Sequence, residues 1–131
     1  MRYESLTAYL KTMDPEKIGK WTLGKEIDGA RQLPYVIYEQ QIHDFCHTFE
    51  PFMDHNYQET IARSPIELSL ENLTEPNLFQ TLTAEEVIGL LTYVIRSERF
   101  VEGSLEKFAK DGWLTASLKR LQAIDEKNQR R

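Results

Sequence analysis

The chain has 131 residues, 40% hydrophobic and 28% charged, and 16 Lys and Arg against 21 Asp and Glu leave it at a formal −5. That length carries one ordinary core, so a single domain is expected over 1–131, with the tail at 126–131 frayed. A single cysteine, Cys46, excludes an internal disulfide framework and a cysteine-only zinc knuckle, and no apolar run is long enough to span a bilayer.

The opening Met1-Arg2-Tyr3-Glu4-Ser5 lacks the apolar stretch of a secretory signal, which predicts a cytoplasmic protein without membrane contact. Tyr3, Leu6, Tyr9, Leu10 and Met13 recur at helical steps before Pro15, predicting a helix of about three turns. From Lys20 to Leu33 the pattern breaks around Gly24 and Gly29. An irregular stretch is expected there, pinned to the core by Trp21, Leu23 and Ile27. Leu33-Pro34-Tyr35-Val36-Ile37-Tyr38 has strand composition but no evident partner run, and reads as an extended lead-in outside any sheet.

Ile42, Phe45, Cys46, Phe49, Phe52 and Met53 mark a helix buried along one stripe, which Pro51 ends or kinks near Glu50. A short helix over 56–63 stops at Ser64-Pro65, and short turns follow to Leu82 around Pro76. Thr83-Ala84-Glu85-Glu86 is a capping box, and Val87, Leu90, Leu91 and Val94 supply the buried face of the helix it opens. Gly103-Ser104 reads as a stop followed by a new cap. Leu105, Phe108 and Ala109 bury the next helix, Gly112 ends it, and Trp113, Leu114, Leu118 and Leu121 mark the last one. No repeat recurs at solenoid periods. The expected fold is all-α: one compact domain of five or six short helices.

Candidate chemistry begins with His43-Asp44-Phe45-Cys46-His47. Two histidines four apart share a helix face, as in His-Glu-x-x-His zinc enzymes, and Glu50 and Asp54 continue the row. Cys46 falls among the apolar positions and Pro51 interrupts the row, so His43 and His47 read as boundary residues and no metal is expected. A metal-dependent hydrolase is the third functional reading. Gly24 and Gly29 have phosphate-loop spacing, but Ala30-Arg31 stands where the motif needs Lys and a hydroxyl, and no cofactor is expected. From Glu50 to Ile95 eight carboxylates stand against Arg63 alone, an acidic middle that repels phosphate backbones and argues against nucleic acid.

Arg96-Ser97-Glu98-Arg99-Phe100-Val101-Glu102-Gly103 is the densest polar cluster beside a strong helix. On the helical wheel Glu98 lands in the buried face, where a charge needs a partner. An ion pair from Glu98 to an arginine is expected, with Phe100 buried as a plug between the last three helices. Two arginines beside two glutamates also suit the capture of a carboxylate or phosphate.

These residues carry a resemblance. Leu90-Leu91-Thr92, the 96–103 element, Asp111-Gly112 and Leu118-Lys119-Arg120-Leu121 resemble a family of small bacterial proteins of unknown function. In that family a leucine-rich helix enters an Arg-x-Asp/Glu-Arg-Phe-x-x-Gly element and ends in a Leu-x-Arg-Leu helix. Leu33–Tyr38 and Asn56-Tyr57 look like its earlier elements. The resemblance marks Arg96, Glu98, Arg99, Phe100, Glu102 and Gly103 as signature positions and implies no activity. The leading expectation is a non-catalytic protein that binds a macromolecular partner, with a protein partner or a homo-oligomer both open. The alternative is a small-anion-binding protein or enzyme using Arg96, Glu98, Arg99 and Glu102.

Overall fold

The computed structural model describes residues 2–24, 26–31, 33–63, 76–98 and 100–129. The first predicted helix forms as two single turns, α1 (Glu4–Thr7) and α2 (Tyr9–Thr12), meeting at Ala8. A backbone N–H at the start of α1 is met from the far end of the chain, since Tyr3 N–H donates to the buried Asp125 carboxylate at 2.9 Å.

The next segment corrects the all-α expectation: the fold is mainly helical with a small antiparallel β-ribbon. β1 (Gly19–Thr22) pairs with β4 (Tyr35–Tyr38), Gly19 opposite Tyr38 and Thr22 opposite Tyr35. Between them β2 (Glu26–Ile27) pairs with β3 (Ala30–Arg31) around Asp28-Gly29. Both turn residues have positive φ, 51° and 81°, the primed geometry that a two-residue hairpin requires and that Asp-Gly supplies at little cost. The partner run for Tyr35–Tyr38 is therefore β1, disguised in sequence by its flanking glycines. Of the residues expected to pin this stretch, Leu23 is largely exposed, while Trp21, though half-exposed, donates its indole N–H to Glu106. The Ile27 side chain lies outside the described residues.

The helices follow the predicted periodicity more closely. α3 (Gln40–Phe49) buries Ile42, Phe45 and Phe49 and passes into a 3₁₀ turn over Glu50–Phe52 at Pro51. α4 (Tyr57–Arg63) is short; the turns expected at 64–75 lie outside the described residues, and a 3₁₀ turn covers Pro76–Thr81. α5 (Ala84–Ser97) starts on the predicted capping box, with Glu86 N–H on Thr83 Oγ1 at 3.1 Å and Thr83 N–H on the Glu86 carboxylate at 2.9 Å. It is the central helix, with Val87, Leu90, Leu91 and Val94 fully buried, and packs on α4, on α6 (Ser104–Lys110) and on α7 (Trp113–Gln129). α7 continues through 126–129, past the last position of its apolar stripe. Among the described residues no helix is long and apolar enough to cross a membrane.

Candidate functional site

α5 gives way to a turn at Glu98, and the chain reaches α6 through a corner built from the signature positions. Phe100 and Val101 both send their N–H groups back to the Ser97 carbonyl, at 3.0 and 2.8 Å. The turn carries Phe100 outward instead of into the corner between the helices. Phe100 is 87% exposed, so the expected plug is a projection, and the space between the last helices is filled by Leu105, Phe108 and Leu114 instead.

Glu98 does point inward, but to different partners from those expected. Its carboxylate accepts the Leu105 N–H at 2.7 Å, the Gly103 N–H at 3.3 Å, and a short hydrogen bond from the Tyr38 hydroxyl. The first N–H groups of a helix have no partner within it, and an acceptor with negative charge suits them. Glu98 therefore caps α6 from five residues upstream. Ser104, expected to be the cap, is the first helical residue, and its hydroxyl donates to the Val101 carbonyl at 2.8 Å. The Tyr38 oxygen also accepts the Glu106 N–H at 3.1 Å. Burial, then the hydrogen bond to Glu98 and its charge, hold the Tyr38 phenol far above its ordinary ionisation range, so it stays a proton donor.

The remaining signature residues are fasteners too. In the β1–β4 register, Trp21 opposite Val36 is a pair whose backbone polar groups point off the ribbon, and Glu102 takes the Val36 N–H at 3.3 Å. Gly103 has φ +87°, and a Cβ there would lie 2.3 Å from Trp21 Cζ2, so both the backbone and the indole require glycine. The Trp21 indole N–H donates to Glu106 at 3.4 Å, and Glu106 is also paired with Lys110. Arg96 goes the other way, its guanidinium 5.9 Å above the Tyr57 ring of α4. Among the described residues Glu98 has no arginine partner; Arg99, expected to join the cluster, lies outside them. Glu98 and Glu102 thus hold backbone amides while Arg96 faces α4, so the described members of the cluster do not converge on one point. Clefts of about 500 Å³ between Tyr3, Phe52 and Arg63, and of about 490 Å³ between Leu10, Ile18 and Leu118, include no signature residue.

The histidine row is also dispersed. His43 lies edge-on to the Tyr38 ring, while His47 stands 3.7 Å from Glu50 on open surface. The Asp54 carboxylate is taken by the Asn56 N–H at 2.8 Å and the Thr60 hydroxyl at 2.6 Å. No group of three potential ligands forms among the described residues. Cys46 is packed in α3; burial, with the Glu98 and Glu50 charges, pushes its thiol up to about 11.

Sequence reasoning missed Tyr38, which joins ribbon to corner, and Arg120, whose Nε–H donates to the Leu82 carbonyl at 2.7 Å and ties α7 to the start of α5. The hairpin signal Asp28-Gly29 could have exposed the first by revealing a sheet. It also missed where the apolar surface lies. Among the described residues the exposed large hydrophobics are Trp21, Leu23, Leu33, Tyr35 and Ile37 on or beside the ribbon, and Phe100 and Val101 on the corner. Glu102 ties that corner to Val36, between Tyr35 and Ile37.

A family model described as a family of unknown function (DUF6508) matches residues 2–127. No curated protein and no solved structure matches the chain.

Proposed function

The chain belongs to the DUF6508 family of unknown function, and from that premise we propose that it works by binding a protein partner through the ribbon and its corner, with no chemistry of its own. The observation that carries this reading is that, among the described residues, the large exposed apolar side chains all lie on or beside the ribbon and on the corner that Glu102 ties to it. Isolated exposed hydrophobics are ordinary, but Tyr35 and Ile37 on one face of the ribbon, and Phe100 beside Val101 on the corner, are groupings that an interaction surface would use. Phe100 supports it most directly. Glu98 and Glu102, two positions to either side of it, hold α6 and β4, and the corner between them presents a phenyl ring and Val101 to solvent. Aromatic side chains are enriched at the cores of protein interfaces.

The anion-binding alternative needs Arg96 beside Glu98 and Glu102, and the stacking of Arg96 on Tyr57 counts against it. Purification of a tagged chain from its native cell, beside a variant carrying Ile37→Ser and Phe100→Ser, tests the proposal. A protein retained in stoichiometric amount by the parent and lost by the variant is expected. Identical retention by both would refute the surface as the binding site.

A further inference from the structure

We infer that a second site, the cleft where α2 packs on α7, binds a small aliphatic carboxylate. The cleft holds about 490 Å³, inside the range of about 300–1,000 Å³ typical of small-molecule sites. Its lining is mainly aliphatic: Ile18, Leu114 and Leu118 are buried, and Leu10 and Met13 are half-buried. None of the exposed hydrophobics of the ribbon or the corner belongs to it. One wall is clamped by the fold itself. Met13 and Pro15 flank Asp14, whose N–H donates to the Gln41 side-chain oxygen at 2.9 Å, while the Gln41 amide N–H donates to the Asp14 carbonyl at 2.8 Å. A preformed apolar cleft with a few polar groups is the usual form of a ligand site.

Charge decides the head group. Lys11 from α2 and Lys119 from α7 both line the cleft, and no Asp or Glu does among the described residues. That reverses the balance of a chain with 21 Asp and Glu against 16 Lys and Arg. Among the described residues neither ammonium has an ion pair, in contrast to Lys107 on Asp111 and Lys110 on Glu106. Asp14, between two lining residues, turns its carboxylate to the Glu16 N–H at 2.9 Å. Two other clefts lack this combination. One sets Arg2 and Arg63 beside Asp54, Glu59 and Glu85, and in the other, which Lys119 also borders, Arg120 is held on the Leu82 carbonyl. Lysines beside an aliphatic lining suit a ligand whose chain fills the cleft while its anionic head stays near water. A singly charged carboxylate loses less hydration there than a phosphate would.

Titration of the methyl-labelled full chain with octanoate at neutral pH, followed by NMR, tests this. Saturable shifts at submillimolar octanoate are expected, centred on the Leu10, Met13, Ile18 and Leu118 methyls. Octylammonium, with the same chain and the opposite charge, should bind at least about tenfold more weakly. Lys11→Gln with Lys119→Gln should weaken octanoate about three- to tenfold with unchanged circular dichroism, because both side chains are exposed. Lys20→Gln with Lys127→Gln changes the net charge equally at residues outside the lining and should leave octanoate affinity as it is. No saturable shift up to about 5 mM octanoate overturns the inference. So does equal binding of the two amphiphiles, a Lys11/Lys119 variant that binds like the parent, or an equal loss in both lysine pairs. Shifts centred on Ile37 and Val101 would place the ligand on the ribbon and corner, and overturn it too.

Discussion

Replacing Glu98 tests the account of the corner most directly. Glu98→Ala removes the acceptor from the Leu105 N–H at 2.7 Å, from the Gly103 N–H at 3.3 Å and from the Tyr38 hydroxyl. The 2.7 Å bond is charge-assisted and worth about 1.5–3 kcal/mol, while the longer one adds less. Loss of an N-cap alone costs about 1 kcal/mol. Because Glu98 is half-buried, water recovers part of the loss, and about 2–3 kcal/mol remains. Glu98→Gln keeps an acceptor oxygen and should cost about 1 kcal/mol. Tyr38→Phe leaves Glu98 on the amides but takes the acceptor from the Glu106 N–H, for about 1 kcal/mol. Urea unfolding of the three variants and of the Tyr38→Phe/Glu98→Gln pair gives the coupling, expected at about 0.5–1 kcal/mol. A Glu98→Ala loss below about 0.5 kcal/mol would show that the carboxylate does not hold α6, and additive behaviour of the pair would refute the Tyr38–Glu98 bond.

Gly103→Ala forces a Cβ to within 2.3 Å of Trp21 Cζ2 at φ +87° and should cost about 1–3 kcal/mol, with a shift in Trp21 emission; an unchanged spectrum and midpoint would contradict the packing. Phe100→Ser should leave monomer stability within about 0.5 kcal/mol, while Phe108→Ala should remove about 3–5 kcal/mol, and equal losses would return Phe100 to the core. With its thiol at about 11, Cys46 is about a thousandth thiolate at pH 8, and disulfide reagents should react roughly 100-fold more slowly with the folded than with the unfolded chain. Cys46 and Tyr38 both keep protons in the folded state that the unfolded chain releases from about pH 9 and 10 upward. The unfolded state then binds fewer protons, so stability should fall with rising pH by about 1 kcal/mol per unit between pH 9 and 11. Cys46→Ala with Tyr38→Phe should flatten that slope, and a slope unaffected by the pair would refute the assignment.

Helices were legible wherever one apolar stripe met one hydrophobic core. Val87, Leu90, Leu91 and Val94 mark α5 by spacing, and its start is marked by Thr83 and Glu86, because capping is a contact between near neighbours. The kink at Pro51 and the end of α6 at Gly112 were equally local, since each depends on one residue's backbone. The 96–103 element could also be picked out in sequence as unusual, though not what it does.

What escaped the sequence was every relation set by distant residues. The ribbon depends on Gly19–Thr22 meeting Tyr35–Tyr38 across a hairpin, and four-residue strands carry too little periodicity to declare a partner. Asp125 meeting Tyr3 across 122 positions is invisible to any local pattern. Wheel arithmetic correctly turned Glu98 inward but could not say that a tyrosine and two amides, rather than an arginine, would receive it. Phe100, expected to plug the corner two residues later, is instead turned outward by the turn on the Ser97 carbonyl. A buried charge is certain to find a partner, but which partner depends on what the tertiary fold brings within 3 Å. Helical spacing and capping were thus determined by residues a few positions apart, while the ribbon, the bond from Tyr38 to Glu98 and that from Tyr3 to Asp125 were decided by packing between segments that the sequence keeps far apart.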